Sequence, residues 1–170
     1  MPADNSSVTA NTVTTLIEHE LDKVSDRRVL DHVRSLLIPP QLQMRPWDYG
    51  AADDAYPCWL AFADRPSNTG IAYCEFGFGP TRPWGLLSLE GNAMSMGMDS
   101  GWFAHFLDAY FESSATDLPI WRVFQGRDFP GTPISDEGGW EKTWAEVMRL
   151  RDEQPDQRFN CWQSVYVSAS

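Results

Sequence analysis

A thiol, a carboxylate and an imidazole are the groups here whose chemistry could make or break bonds: Cys74-Glu75 and, further along, His105. A cysteine nucleophile needs its thiolate form and a base within hydrogen-bond reach. Cys74 alternates with Ala72 and Phe76, which places it on the apolar face of a strand. His105 falls on the polar side of a helical stretch, with Asp108 and Glu112. The pattern predicts a buried, inert thiol and an exposed imidazole. Metal chemistry has no better support. His19, His32 and His105 are far apart, and no two cysteines have zinc-knuckle spacing. Asp48, Asp53 and Asp54 share one stretch but lack the alternating acids and central glycine of a calcium loop. Gly77-Phe78-Gly79 follows a predicted strand, yet Pro80 comes next and no helix opens there, so no pyrophosphate cradle forms. No metal or cofactor is expected, and the reading leans away from an enzyme.

Binding is better served. From Gly77 to Trp84 the chain interleaves aromatic rings with glycine and proline, the residues that set unusual backbone angles. A loop of that kind holds one shape, and shaped loops carry binding more often than core strands do. Glu75, Phe78, Arg82 and Trp84 are the candidate contacts at this loop, with Asp99 at its mouth. Asp48, Asp53 and Asp54 extend the set. Two of these have structural alternatives: Asp99 suits a helix N-cap, and Trp84 suits the core of a strand. Met94, Met96 and Met98 alternate as core-filling residues would.

Charge indicates the kind of partner. The chain carries 24 acids against 13 bases, a net charge of −11, and the excess is concentrated. Residues 46–121 hold ten acids and only Arg65 and Arg82 as bases, whereas residues 1–45 are nearly balanced. Such a field repels phosphate backbones and anionic lipid, excluding nucleic acid and membrane surfaces, and attracts a basic protein. No run of 18 apolar residues is present, and Met1–Ala10 lacks the basic-then-apolar order of a secretory signal. Cys58, Cys74 and Cys161 cannot all pair, so a reducing cytoplasm is the expected compartment. The oligomeric state is not legible.

The positioning elements follow from periodicity. After a frayed 1–11, Ile17, Leu21 and Val24 mark one helical face and Leu30, Val33 and Leu37 another, out of phase with it. The break falls at Ser25-Asp26, which makes the stretch two helices or one kinked helix, and Pro39-Pro40 ends it. Gln41–Ala55 reads as a loop. Tyr56–Ala63 and Ile71–Phe76 form a hairpin across a run of turn formers, and Trp84–Leu89 is a third strand. A helix capped by Asp99 or Ser100 carries Trp102, Phe103, Phe106, Leu107, Tyr110 and Phe111. Trp121–Gln125, a helix burying Trp140, Trp144, Val147 and Met148, and Phe159–Val167 complete the chain. The expectation is one α+β domain over 12–170. It has a mixed, mostly antiparallel sheet of five or six strands, helices mainly on one face, and both late strands in that sheet.

The strand–loop–strand of Tyr73–Leu89 followed by the aromatic helix Trp102–Phe111 resembles, in topology and acidity, the SUKH superfamily of bacterial toxin-immunity proteins. The resemblance implies non-covalent neutralisation of a toxin and assigns no residue a role. The alternative is a small-molecule-binding protein or enzyme with its pocket beneath the Gly77–Trp84 loop.

Overall fold

A computed structural model describes residues 8–24, 27–47, 50–51, 53–90, 101–113, 115, 120–125, 132–134 and 139–164. Thr9 opens helix α1 (Ala10–Leu21) with a reciprocal cap. Its hydroxyl accepts from the Thr12 amide at 3.2 Å, and the Thr12 hydroxyl accepts from the Thr9 amide at 3.3 Å. Val13, Ile17 and Leu21 form the buried stripe. Val8 is buried as well, so order begins ahead of residue 11, the expected end of the frayed terminus. The phase break separates α1 from α2 (Arg27–Leu36), which buries Val29 and Val33.

Pro39-Pro40 lies beyond the end of α2, but the chain does not become a loop there. Strand β1 (Leu37–Pro46) pairs antiparallel with β2 (Ala55–Asp64). The register slips between Leu37 and Gln41, where two residues without amide hydrogens sit in an irregularity of the ladder. Proline at an edge strand costs little, which is why a stretch expected as loop forms a strand. The turn Arg65–Asn68 then leads to β3 (Thr69–Tyr73), with Asn68 at φ 54 in the left-handed region that asparagine tolerates. Strand β4 (Trp84–Ser88) follows the Gly/Pro loop. Trp102–Phe103 is not helical: it forms β5, paired with β4. The expected helix starts later, as α3 (Phe106–Glu112), with His105 at its N-cap. Asp99, Ser100 and the Met94–Met98 segment lie outside the described residues.

The first sheet is antiparallel with strand order β1-β2-β3-β4-β5. Residues opposite one another share a face, so the register sorts the core. Phe62, Ile71, Tyr73, Trp84 and Leu86 point to the side covered by α1, α2 and α3. Cys58, Leu60, Ala72, Leu87 and Trp102 form a second cluster with Cys74, packed by Trp47, Tyr56 and Phe78. Every residue of β3 is buried, which makes it the strand that both layers share. Asp108, expected on the polar side of the helix, is buried in α3.

The late strands do not join this sheet. Strands β6 (Ile120–Gln125), β7 (Thr132–Ile134) and β8 (Phe159–Ser164) make their own antiparallel sheet, order β7-β6-β8. Helix α4 (Gly139–Glu153) packs on β6 and β8. Its buried positions include Thr143 and Val147, while Trp144 and Met148, expected inside, are exposed. The architecture is α+β, as expected, with its strands divided between two sheets. No helix among the described residues is long and apolar enough to cross a membrane.

Candidate functional site

The loop from Cys74 to Pro83 is closed at its neck and fixed from below. The Cys74 amide donates to the Pro83 carbonyl at 2.8 Å, and the Arg82 amide donates to the Gly79 carbonyl at 3.2 Å. Gly77 has φ +75, and a Cβ placed there would sit 3.1 Å from the Trp47 ring. Glycine is favoured on both counts, for the angle and for the approach. Phe78 meets the Trp47 ring with centroids 5.0 Å apart and the Trp102 ring at 6.1 Å. Trp47 in turn stands edge-on to Tyr56 at 6.0 Å. The described space beneath the loop is therefore filled by its own aromatics. Trp102 lies so close over β4 that a Cβ on Gly85 would approach its ring to 2.7 Å. Its Nε1 is buried with no acceptor among the described residues.

Beside the loop, Val8, Pro57, Trp59, Tyr73, Glu75 and Phe76 line a narrow crevice of about 10 Å³. That is far below the roughly 300 Å³ of a small-molecule pocket and amounts to about one water molecule, so any contact here is made at the rim. Phe76 is 38% exposed and packs against Tyr56 with centroids 5.8 Å apart. The Tyr73 hydroxyl donates to Glu75 Oε1 at 3.2 Å. Burial first, and then the Glu75 charge, push the Tyr73 phenol up to about 12. The crevice is thus an aromatic rim with one half-buried carboxylate. A larger groove of about 260 Å³ runs between α1 and Leu37–Pro40, away from every expected site residue.

The expected residues separate cleanly. Glu75 and Phe78 belong to the loop, with Glu75 lining the crevice, and Arg82 is exposed on the same loop. Trp84 is not a surface contact: it is 2% exposed and belongs to the core. It follows Pro83 directly into β4, on the face that α3 covers, so its ring has nowhere else to go. Asp53 and Asp54 are exposed, and Asp54 Oδ2 accepts from the Ala51 amide at 3.1 Å, which gives it a turn-closing role. Asp48 and Asp99 lie outside the described residues. Tyr56, Trp59 and Phe76 join the site without having been marked as contacts. Their signal was the aromatic density flanking Pro57 and Gly77, which reads equally well as core.

Covalent chemistry gains nothing from this arrangement. Burial is the leading cause that pushes the Cys74 thiol up to about 11, and Cys58 is raised further, first by burial and then by its proximity to Cys74. His105 Nδ1 lies 3.9 Å from Glu20 Oε1, engaged with α1. Among the described residues no group of three His, Cys, Asp or Glu is placed to hold a metal ion. Comparison with protein-family models, with curated proteins and with solved structures yields no match to this chain.

Proposed function

We propose that this chain acts by non-covalent binding of a basic protein partner through the Cys74–Pro83 loop and its crevice. The observation that carries this reading is Glu75. It is a half-buried carboxylate on an aromatic rim, in a segment of ten acids and two bases, and its described partner is the neutral hydroxyl of Tyr73. A Lys or Arg side chain laid across this rim meets both a counter-charge and aromatic rings. The rigid loop lowers the entropic cost of docking, since Gly77 and Phe78 are already held against Trp47. Neutralisation of a basic toxin is the form of this function that the SUKH resemblance implies. A cytoplasmic setting suits three free cysteines.

The test is kinetic, with the product of the neighbouring gene as the first partner tried. Acidic steering predicts that the on-rate falls as salt rises from about 0.1 M to about 1 M, where the screening length shrinks from about 10 Å to about 3 Å. Phe76→Ala should raise the off-rate at least about tenfold, as loss of a central aromatic anchor does. Glu75→Gln should weaken binding at low salt. An association indifferent to salt and to both substitutions would defeat the proposal.

A further inference from the structure

The two most exposed large apolar side chains among the described residues are Met44 at 59% and Leu42 at 52%. They stand two positions apart on β1, hence on one face, and β1 is the outer strand of its sheet. We infer that this edge is a self-association surface, pairing Gln41–Arg45 antiparallel with the same segment of a second copy.

Backbone direction comes from the register. In an antiparallel ladder, opposed residues alternate between pairs that exchange hydrogen bonds and pairs that do not. Met44 faces Pro57, and Pro46 faces Ala55; each pair contains a residue with no amide hydrogen, so both are of the second kind. By alternation Leu42, opposite Trp59, is too. The N–H and C=O groups of Leu42 and Met44 therefore point away from β2, to the open edge. Pro39-Pro40 and Pro46 bound the segment and confine pairing to the five residues between them.

Within that window one symmetric register pairs both outward-facing residues without calling on a proline. A two-fold axis at Gln43 sets Leu42 opposite Met44 of the second copy, and Met44 opposite Leu42. Those are the residues whose backbone groups face outward, so each pair exchanges two hydrogen bonds. The same pairing brings the four exposed apolar side chains together on one face. A self-complementary patch of this kind is what two-fold association requires.

Charge selects a second copy over the basic partner. The longest run without Asp or Glu in the chain is 32–47, bounded by Asp31 and Asp48. A molecule with net charge −11 repels its own copies over most of its surface, and repels them least where acids are missing. Arg45, the only charged residue from 41 to 45, is buried, with its guanidinium donating to Gln43 Oε1 at 2.9 Å and to the Ser88 carbonyl at 3.1 Å. Five residues per copy bury less than the roughly 800 Å² per partner of a standard interface, so the dimer is weak and concentration-dependent.

Sedimentation of the full chain from about 10 μM to about 1 mM, the affinity range of small interfaces, should show monomer–dimer exchange. Amide exchange supplies the atomic readout. Leu42 and Met44 amides should gain at least about tenfold protection as concentration rises, while the Gln43 amide, already bonded to β2, stays constant. Met44→Pro removes an outward donor without touching the β2 ladder, and Leu42→Lys places a charge on the patch. Each should abolish the dimer and leave the circular dichroism unchanged. If one variant fails to fold, the other and the wild-type exchange data decide. A wild type that stays monomeric to about 1 mM overturns the inference, as does a dimer that survives both variants. Leu42 and Met44 amides protected equally at every concentration overturn it too, because the chain's own residues would then cover the edge. None of these outcomes bears on Phe76 or Glu75, so the dimer and the basic partner stand or fall separately.

Discussion

Trp84 and Phe76 border the same loop, yet one is buried and the other exposed, and they should fail differently when truncated. Trp84 packs edge-on against Tyr73 and Phe106, with ring centroids 5.0 and 5.3 Å apart, inside the helix-covered core. Trp84→Ala should cost about 3–5 kcal/mol in denaturant unfolding, the range for large aromatic truncations in cores. Any loss of partner binding should then track the unfolded fraction. Phe76→Ala, at a side chain 38% exposed, should leave stability within about 1 kcal/mol and change binding alone. The two loop glycines allow a similar separation. Gly79 has φ +77 with open space around it, whereas Gly77 has φ +75 and the Trp47 ring at 3.1 Å. Gly79→Ala should cost about 1–2 kcal/mol for the backbone angle, and Gly77→Ala more, because the ring must also move.

Helix α3 shows what one element owes another. It has seven residues, and its N-cap His105 makes no side-chain capping bond. The cap comes from α1: Glu20 Oε1 accepts from the Phe106 amide at 3.0 Å and Oε2 from the Leu107 amide at 2.9 Å. A carboxylate at a helix N-terminus satisfies orphan donors and meets the favourable end of the dipole. Burial is the largest influence on Glu20 and lifts its carboxyl above the ordinary range despite these two donors. Glu20→Ala should cost about 1–3 kcal/mol, because both amides lose their partner in a buried setting. Fluorescence-detected denaturation gives the cost, and faster exchange at Phe106 and Leu107 would localise it. At the other end of the chain, Arg151 ties α4 to β8, with Nη2 donating to the Phe159 carbonyl at 2.6 Å and the guanidinium 5.1 Å from the Trp144 ring centroid. Trp144 is thus a surface platform for that arginine rather than a core residue.

For the whole molecule, the buried acids of the core set an alkaline limit. Cys74 is pushed from an ordinary 9.0 to about 11 and Tyr73 from 10.0 to about 12, with Cys58 raised in the same sense. The folded state holds these protons to higher pH than the unfolded chain does. Their contribution is therefore complete below pH 9 and is lost as pH climbs through about 11 to 12. The melting temperature should be flat up to about pH 8.5 and fall beyond it, more shallowly in Cys74→Ala. The same burial predicts that thiol reagents at neutral pH label Cys161 first and leave Cys58 and Cys74 until the chain unfolds. Stoichiometric labelling of Cys74 in the native protein would contradict its burial.

The sequence by itself determined the α+β class, the break between the first two helices, the hairpin turn at Arg65–Asn68, the Gly/Pro loop and the burial of Cys74. Each is a local matter: the period of apolar residues, a capping side chain, or a backbone angle that only certain residues tolerate. Only the tertiary structure decided that Leu37–Pro46 is a strand, since its prolines are tolerable only where an edge meets β2 and the ladder can slip at Pro39-Pro40. It also decided that Trp102–Phe103 extends the sheet instead of opening the helix, and that the late strands make a second sheet. Strand partnership joins residues distant along the chain, and their local pattern is the same whichever edge they meet. The site divides the same way. The loop's composition marks Glu75 and Phe78 as candidates in the sequence, whereas the burial of Trp84 and the exposure of Phe76, Leu42 and Met44 depend on how far the helices reach over the sheet.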